Sequence, residues 1–294
     1  MTVSEKQLEV WANQGAVQTA QATHQSVRAA IDAYSWPDGW KPDAFLQGSY
    51  RNSTNIRGDS DVDLVVQLHS IFKSNISSLS EAHRTIYKLS VSDAAYTWAD
   101  FRAQVLEALH NHFGTQRVSE GRKCLKVETP YLPADVVPCI DYRYYLDYAE
   151  PPGTYIEGMT FYIPIESRWI VNYPKVHYDK GVQKNEATDG RFKPTVRILK
   201  NLRNRLIDEG HLHDRQAPSY FVECLLANVP DACFLVAHLA TLLGALQWLL
   251  DADRSELKCL NTIDNLIGED SQHWSDADCR AFIIETRKWV LSES

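Results

Sequence analysis

The sequence predicts an α/β protein in two parts: a small sheet domain over residues 1–165, with a long N-terminal helix, and a mostly helical domain over residues 166–294. Three observations predict it. Short apolar runs that read as strands are confined to the first part, runs of helical period fill the second, and the character changes near Ser167.

Residues 4 to 35 read as one amphipathic helix. Ser4 and Gln7 suit a capping box, and Leu8, Trp11, Gly15, Thr19, Thr23, Val27, Ile31 and Tyr34 recur at helical spacing before "WPDGWKP" ends the run. A short strand follows around Ala44 to Gln47, then a turn, then a strand from Asp61 to Leu68. A helix from Trp98 to Phe113 starts near Thr97 and stops at Gly114. "KCLKVETP" and "ADVVPCIDYRYY" read as two more strands. Beyond them, "RFKPTVRILKNLRNRLIDEG", "APSYFVECLLANV", residues 231 to 250 and residues 276 to 290 read as helices. A cleft, closed by the helical domain, is expected between the two parts.

Composition excludes several classes. The chain has 294 residues, 44% hydrophobic and 23% charged, which is ordinary for a water-exposed globular protein. The longest apolar stretch, "CFLVAHLATLLGALQWLL", is interrupted by His238, Thr241, Gly244 and Gln247, so it reads as a buried helix and not a membrane span. The N-terminus has neither the basic nor the apolar region of a secretory leader. Six cysteines without a C-x-x-C pair, several in apolar segments, point to reduced thiols in a cytoplasmic protein and away from zinc. A net charge of −8 disfavours a protein whose task is gripping long nucleic acid, but is compatible with small anionic substrates carried by metal ions.

The chemistry is concentrated in "GSYRNSTNIRGDSDVDLVV", residues 48 to 66. Alternate side chains of a strand share a face, so Asp61 and Asp63 project together while Val62, Leu64 and Val66 turn to the core. Two carboxylates this close repel unless a cation lies between them, and hard oxygen ligands select Mg²⁺ or Mn²⁺. Asp135, in "PADVVPC", opens a second strand with the same apolar continuation. If the two strands are neighbours, three carboxylates meet, which is apparatus for two metal ions and an in-line phosphoryl or nucleotidyl transfer. Taken alone, Asp135 equally suits a surface or turn role. Gly48 lets the backbone approach a phosphate, and the hydroxyl of Ser49 with the turn N–H groups can bind its oxygens. Asp59 follows Gly58 and reads as turn chemistry.

The Gly-Ser pair followed by D-x-D and an apolar continuation resembles the DNA polymerase β-like nucleotidyltransferases. The ordered set "LQGSYRNSTNIRGDSDVDLVVQL", "YLPADVVPC", "NYPKVHYDKGVQKN", "RFKPTVRILKNLR" and "APSYFVECLLANVP" resembles more narrowly the bacterial cGAS/DncV-like nucleotidyltransferases, and most their CdnE clade. The likeness runs from the first helix to near the C-terminus. It implies a polymerase β-like core sheet packed on a C-terminal helical domain, and a metal-dependent cyclic dinucleotide synthase of an antiphage signalling system. Gly48 and Ser49 then look like the triphosphate loop, and Asp61, Asp63 and Asp135 like the ligands of two Mg²⁺ ions. Lys200 falls where relatives present a lysine to the triphosphate, although unaided it reads as a solvated helix lysine. Ser219 and Tyr220 match a phosphate-touching serine and a base-stacking tyrosine; without the family, Tyr220 could equally be a core aromatic. Asn172 stands where the clade carries its base-reading residue, and an asparagine there resembles the members that accept uracil. Read without the family it is a turn residue before Tyr-Pro.

The implied product is a uridine-containing 3′,3′-cyclic dinucleotide, cyclic UMP-AMP or cyclic di-UMP, made from UTP and ATP by a monomer without template or membrane. No Cys/His cluster of the animal DNA sensor's kind interrupts the sequence, which argues against activation by double-stranded DNA. Three readings compete with it. One is a purine cyclic dinucleotide or linear oligonucleotide synthase, the second a nucleotidyltransferase with another acceptor, and the third a nucleotide-binding module acting through a partner.

Overall fold

The structure, a computed structural model, describes residues 3–15, 17–37, 40–57, 61–270 and 272–292. The chain divides into two compact units. One is built from residues 17–50 and 60–175, the other from residues 1–16, 51–59 and 176–294.

The single helix expected over residues 4 to 35 is two: α1 (Glu5–Ala12) and α2 (Gln18–Ala33). Ser4 caps α1 as expected, its hydroxyl accepting from the Gln7 N–H at 3.2 Å. The break lies at Gly15. Its N–H donates to the Asn55 carbonyl at 3.1 Å, and a Cβ at this position would lie 2.5 Å from the Ile56 carbonyl oxygen. A long-range backbone contact therefore ends a pattern whose local periodicity continues.

Among the described residues the sheet of the first unit has seven strands, β1 (Asp43–Leu46), β2 (Val62–Asn75), β3 (Val118–Glu120), β4 (Leu125–Val127), β5 (Ala134–Asp147), β6 (Thr154–Ile163) and β7 (Arg168–Asn172). Strands β2 and β5 run parallel at its centre, and every other pairing is antiparallel. β5 uses its first residues to pair with β4 and its later ones with β6. The run Val62, Leu64, Val65 and Val66 is fully buried, so both faces of β2 are covered over this stretch. α2 lies against β1 and β2, and α5 (Trp98–Phe113) against β3, β4 and β5. α5 begins and ends as the sequence predicts: Thr97 and Asp100 form a reciprocal capping box, and Gly114 terminates it at φ +85°. Two further helices, α3 (Gly48–Asn52) and α4 (Glu81–Ser90), complete the order up to β3. Past Leu68 the ladder of β2 and β5 is interrupted by a bulge. There Asp141, buried on β5, accepts from Gln67 Nε2 at 2.8 Å and pairs with His69 Nδ1 at 2.7 Å.

The second unit holds α6 (Pro174–Ala187), α7 (Phe192–Asp208), α8 (Ser219–Ala227), α9 (His238–Asp251) and α10 (Asp276–Ser292), with α1 packed on α7 and α9. Leu8, Phe192, Val196, Leu202, Val222, Leu226, Leu242, Leu249 and Phe282 form its core, each fully buried. The helix expected over residues 231 to 250 starts only at His238, because Glu5 of α1 takes over the N-terminus. Its carboxylate accepts from the N–H groups of His238 at 2.5 Å and Leu239 at 3.0 Å. No helix of the described residues is long and apolar enough to cross a membrane.

Candidate active site

The carboxylates sit at the heads of the two central strands. In the parallel register Asp63 stands opposite Asp135, so the two are neighbours at equivalent positions. Asp63 shares its strand face with Val65, which is wholly buried, yet Asp63 is exposed. The cover over that face therefore stops between the two positions, and Asp63 lies just outside it. Like charges paired across strands destabilise a sheet. Two hard oxygen donors so placed fit a divalent cation, which removes that cost. Asp61 precedes β2 and is exposed. Among the described residues no three His, Cys, Asp or Glu groups form a ready-made cage for a metal. Asp59 lies outside the described residues.

Gly48 opens α3 at φ +64°, a conformation L side chains rarely adopt, and a Cβ there would lie 2.4 Å from Asp63 Oδ2. The glycine is thus required twice, for the turn and for the approach of the carboxylate. Ser49 follows it, half-buried, in the same helical turn. The Cys124 thiol lies beside Asp135. Burial pushes its thiol up to about 12, assisted by the charge and the hydrogen-bond acceptance of Asp135 and by the charge of Asp63. Asn172 ends β7, half-buried and in register with Met159 of β6. A Cβ on Gly158, one residue before Met159, would lie 2.9 Å from both the Asn172 carbonyl and the Tyr173 ring, so the backbone carrying Asn172 is closely held.

In the helical unit, α7 and α8 carry the remaining positions. Lys200 is only 1% exposed and its Nζ donates to the Thr54 carbonyl at 3.0 Å, so it is a buried, hydrogen-bonded ammonium rather than a solvated one. Ser219 is the first residue of α8, and its hydroxyl accepts from Arg203 Nη1 at 2.8 Å. A helix N-terminus with a guanidinium beside it is an electropositive setting suited to phosphate. Tyr220 is 43% exposed, with one ring face stacked on His177 at 5.3 Å between centroids. Its hydroxyl end is enclosed, and burial with the thiols of Cys224 and Cys259 pushes the phenol well up.

Sequence reasoning passed over Arg203, Cys124, His177 and Glu223. Arg203 had a usable signal: it lies three residues after Lys200, on the same face of α7. Cys124 and Glu223 had none, because their partners are distant in the chain.

The chain resembles known proteins over nearly its whole length. The family model of the cGAS/DncV-like nucleotidyltransferase C-terminal helical domain matches residues 179–290. The sequence is 52% identical to the cyclic UMP-AMP synthase of Rhodothermus marinus (strain SG0.5JP17-172) over 96% of this chain and 96% of that one. It is 38% identical to the cyclic nucleotide synthase CdnE01 of Staphylococcus haemolyticus, over 98% and 99% of the two chains. The solved structure of the Rhodothermus marinus CdnE c-UMP-AMP synthase with Apcpp and Upnpp matches with a TM-score of 0.92 at 49% identity, covering 99% of this chain and 97% of that chain. The chain therefore belongs to the cGAS/DncV-like nucleotidyltransferases, in their CdnE group.

Proposed function

We propose that the chain joins UTP and ATP, without a template, into 3′,3′-cyclic UMP-AMP, and that this product is a second messenger in antiphage signalling. The full-length likeness to the Rhodothermus marinus cyclic UMP-AMP synthase carries the reading, and the pairing of Asp63 with Asp135 beside Gly48 supports it.

In this reading the turn at Gly48 and Ser49 receives the donor triphosphate through backbone N–H groups and the serine hydroxyl, and Ser219, at the start of α8, is assigned a phosphate contact. Asp61, Asp63 and Asp135 would hold two Mg²⁺ ions, or Mn²⁺ in their place. When bound, such ions neutralise charge on the leaving pyrophosphate and lower the pKa of the acceptor 3′-hydroxyl. Attack of that hydroxyl on the α-phosphorus forms one phosphodiester and releases pyrophosphate. The linear product then turns round and reacts again, releasing a second pyrophosphate and closing the ring. A pocket that must accept two poses suits stacking, which every base offers, and Tyr220 supplies an exposed ring for it.

Asn172 is assigned the reading of uracil. Its side-chain amide carries both an acceptor for N3–H and a donor for O4, and a wrong base leaves those groups unmatched. Replacing Asn172 by Leu removes both bonds, so the preference for UTP over ATP at that position should fall about tenfold or more. Omitting each nucleotide in turn and comparing product yields measures it. An unchanged preference in Asn172→Leu would place base selection elsewhere, and a purine-only product from the unaltered chain would remove the uridine assignment while leaving the reaction class.

A further inference from the structure

Beneath Tyr220 lies a buried polar network that the reaction as described does not use. Glu223 sits one helical turn after Tyr220 on α8, so the two share a face. It is only 6% exposed, and its carboxylate accepts from Asn52 Nδ2 at 3.3 Å and Thr54 Oγ1 at 3.0 Å and meets His177 Nε2 at 3.1 Å. His177, on α6, is 7% exposed. Its ring is stacked against Tyr220 at an interplanar angle of 26°. Its other nitrogen, Nδ1, is buried with no hydrogen-bond partner among the described residues, so the bond to Glu223 is what fixes the ring's rotation.

A buried carboxylate and an unmatched imidazole nitrogen both cost stability, and a core position would be filled more favourably by apolar side chains. The cost is intelligible if orientation is what is gained. Tyr220 is held by its enclosed hydroxyl end, by Phe221 edge-on at 5.5 Å and by His177 against one face, while much of the ring stays exposed. A platform held from behind loses little freedom when a base settles on it, and that saving appears as affinity.

We propose that His177, oriented by Glu223, is a positioning residue that backs the Tyr220 ring and thereby fixes the pose of the nucleotide base stacked on it. This rests on the reading of Tyr220 as the base platform.

The test compares binding of a non-hydrolysable UTP analogue with binding of inorganic tripolyphosphate, which has no base, both in Mg²⁺. His177→Leu keeps most of the volume but removes the flat face. It should weaken the nucleotide analogue about tenfold and leave tripolyphosphate within about twofold. His177→Phe, which restores an aromatic face, should recover most of the loss. His177→Leu combined with Tyr220→Ala should bind no worse than Tyr220→Ala alone. His177→Met serves the same comparison if the leucine variant does not fold. Nucleotide binding unaffected by His177→Leu but weakened by Tyr220→Ala overturns the inference and leaves the platform intact. Binding unaffected by either variant removes the platform and the inference together. Equal loss for nucleotide and tripolyphosphate marks general damage and also overturns it.

Discussion

Asp63→Asn lowers dinucleotide synthesis by about 10³-fold or more and leaves the protein folded. Asparagine keeps the shape but loses the negative charge that a cation needs. Losing several kcal/mol of stabilisation of the transferring phosphoryl group, at about 1.4 kcal/mol per decade, gives that factor. The fold should tolerate the change because Asp63 is exposed at the head of β2, with the buried run of the strand beginning around it at Val62 and Leu64. The melting temperature without Mg²⁺ should therefore stay close to that of the unaltered chain. Pyrophosphate release and thermal melting measure the two halves. Synthesis within tenfold of the unaltered rate would mean that Asp63 holds no metal.

Gly48→Ala should lower kcat/KM about 10²-fold. The added Cβ would lie 2.4 Å from Asp63 Oδ2, and the φ of +64° costs an L residue about 1–2 kcal/mol. Either the turn opens or the carboxylate moves, and a displacement of about 1 Å at a reacting centre costs about 10²-fold. The same substitution at Gly210, which also has positive φ (+77°) but nothing within 4 Å of a Cβ, is the control for backbone strain alone. Gly210→Ala should cost stability without costing rate. Equal kinetic loss in both variants would show that strain, not the approach to Asp63, is responsible.

What could be read from the sequence was local, and what could not was contact made at a distance. α5 was legible at both ends because Thr97, Asp100 and Gly114 act through their own backbone neighbours. The D-x-D pair was legible because strand parity alone puts two carboxylates on one face. That Asp135 stands opposite Asp63 is a matter of register between strands far apart in the chain, and only the ladder of β2 and β5 settles it. The break at Gly15 went unseen for the same reason: Asn55 and Ile56 impose it. Strands β6 and β7 and helices α4 and α6 carried weaker signals. β7 has only five residues running into Tyr-Pro, and α6 has polar residues on every side. Glu223 was least legible of all, since a lone glutamate in an apolar helix reads as its solvent-facing position until Asn52, Thr54 and His177 are found around it. Lys200 shows the converse. Its family position marked it as important, while its burial on the Thr54 carbonyl appears only in three dimensions.

The most direct measurement is the identity of the product formed from UTP and ATP by the purified chain in Mg²⁺. Phosphatase treatment followed by mass spectrometry and nuclease digestion should give one UMP and one AMP joined by two 3′–5′ linkages, with no terminal phosphate. The product should disappear when either nucleotide is omitted. A linear product that phosphatase trims, or one containing purines alone with UTP present, would contradict the account.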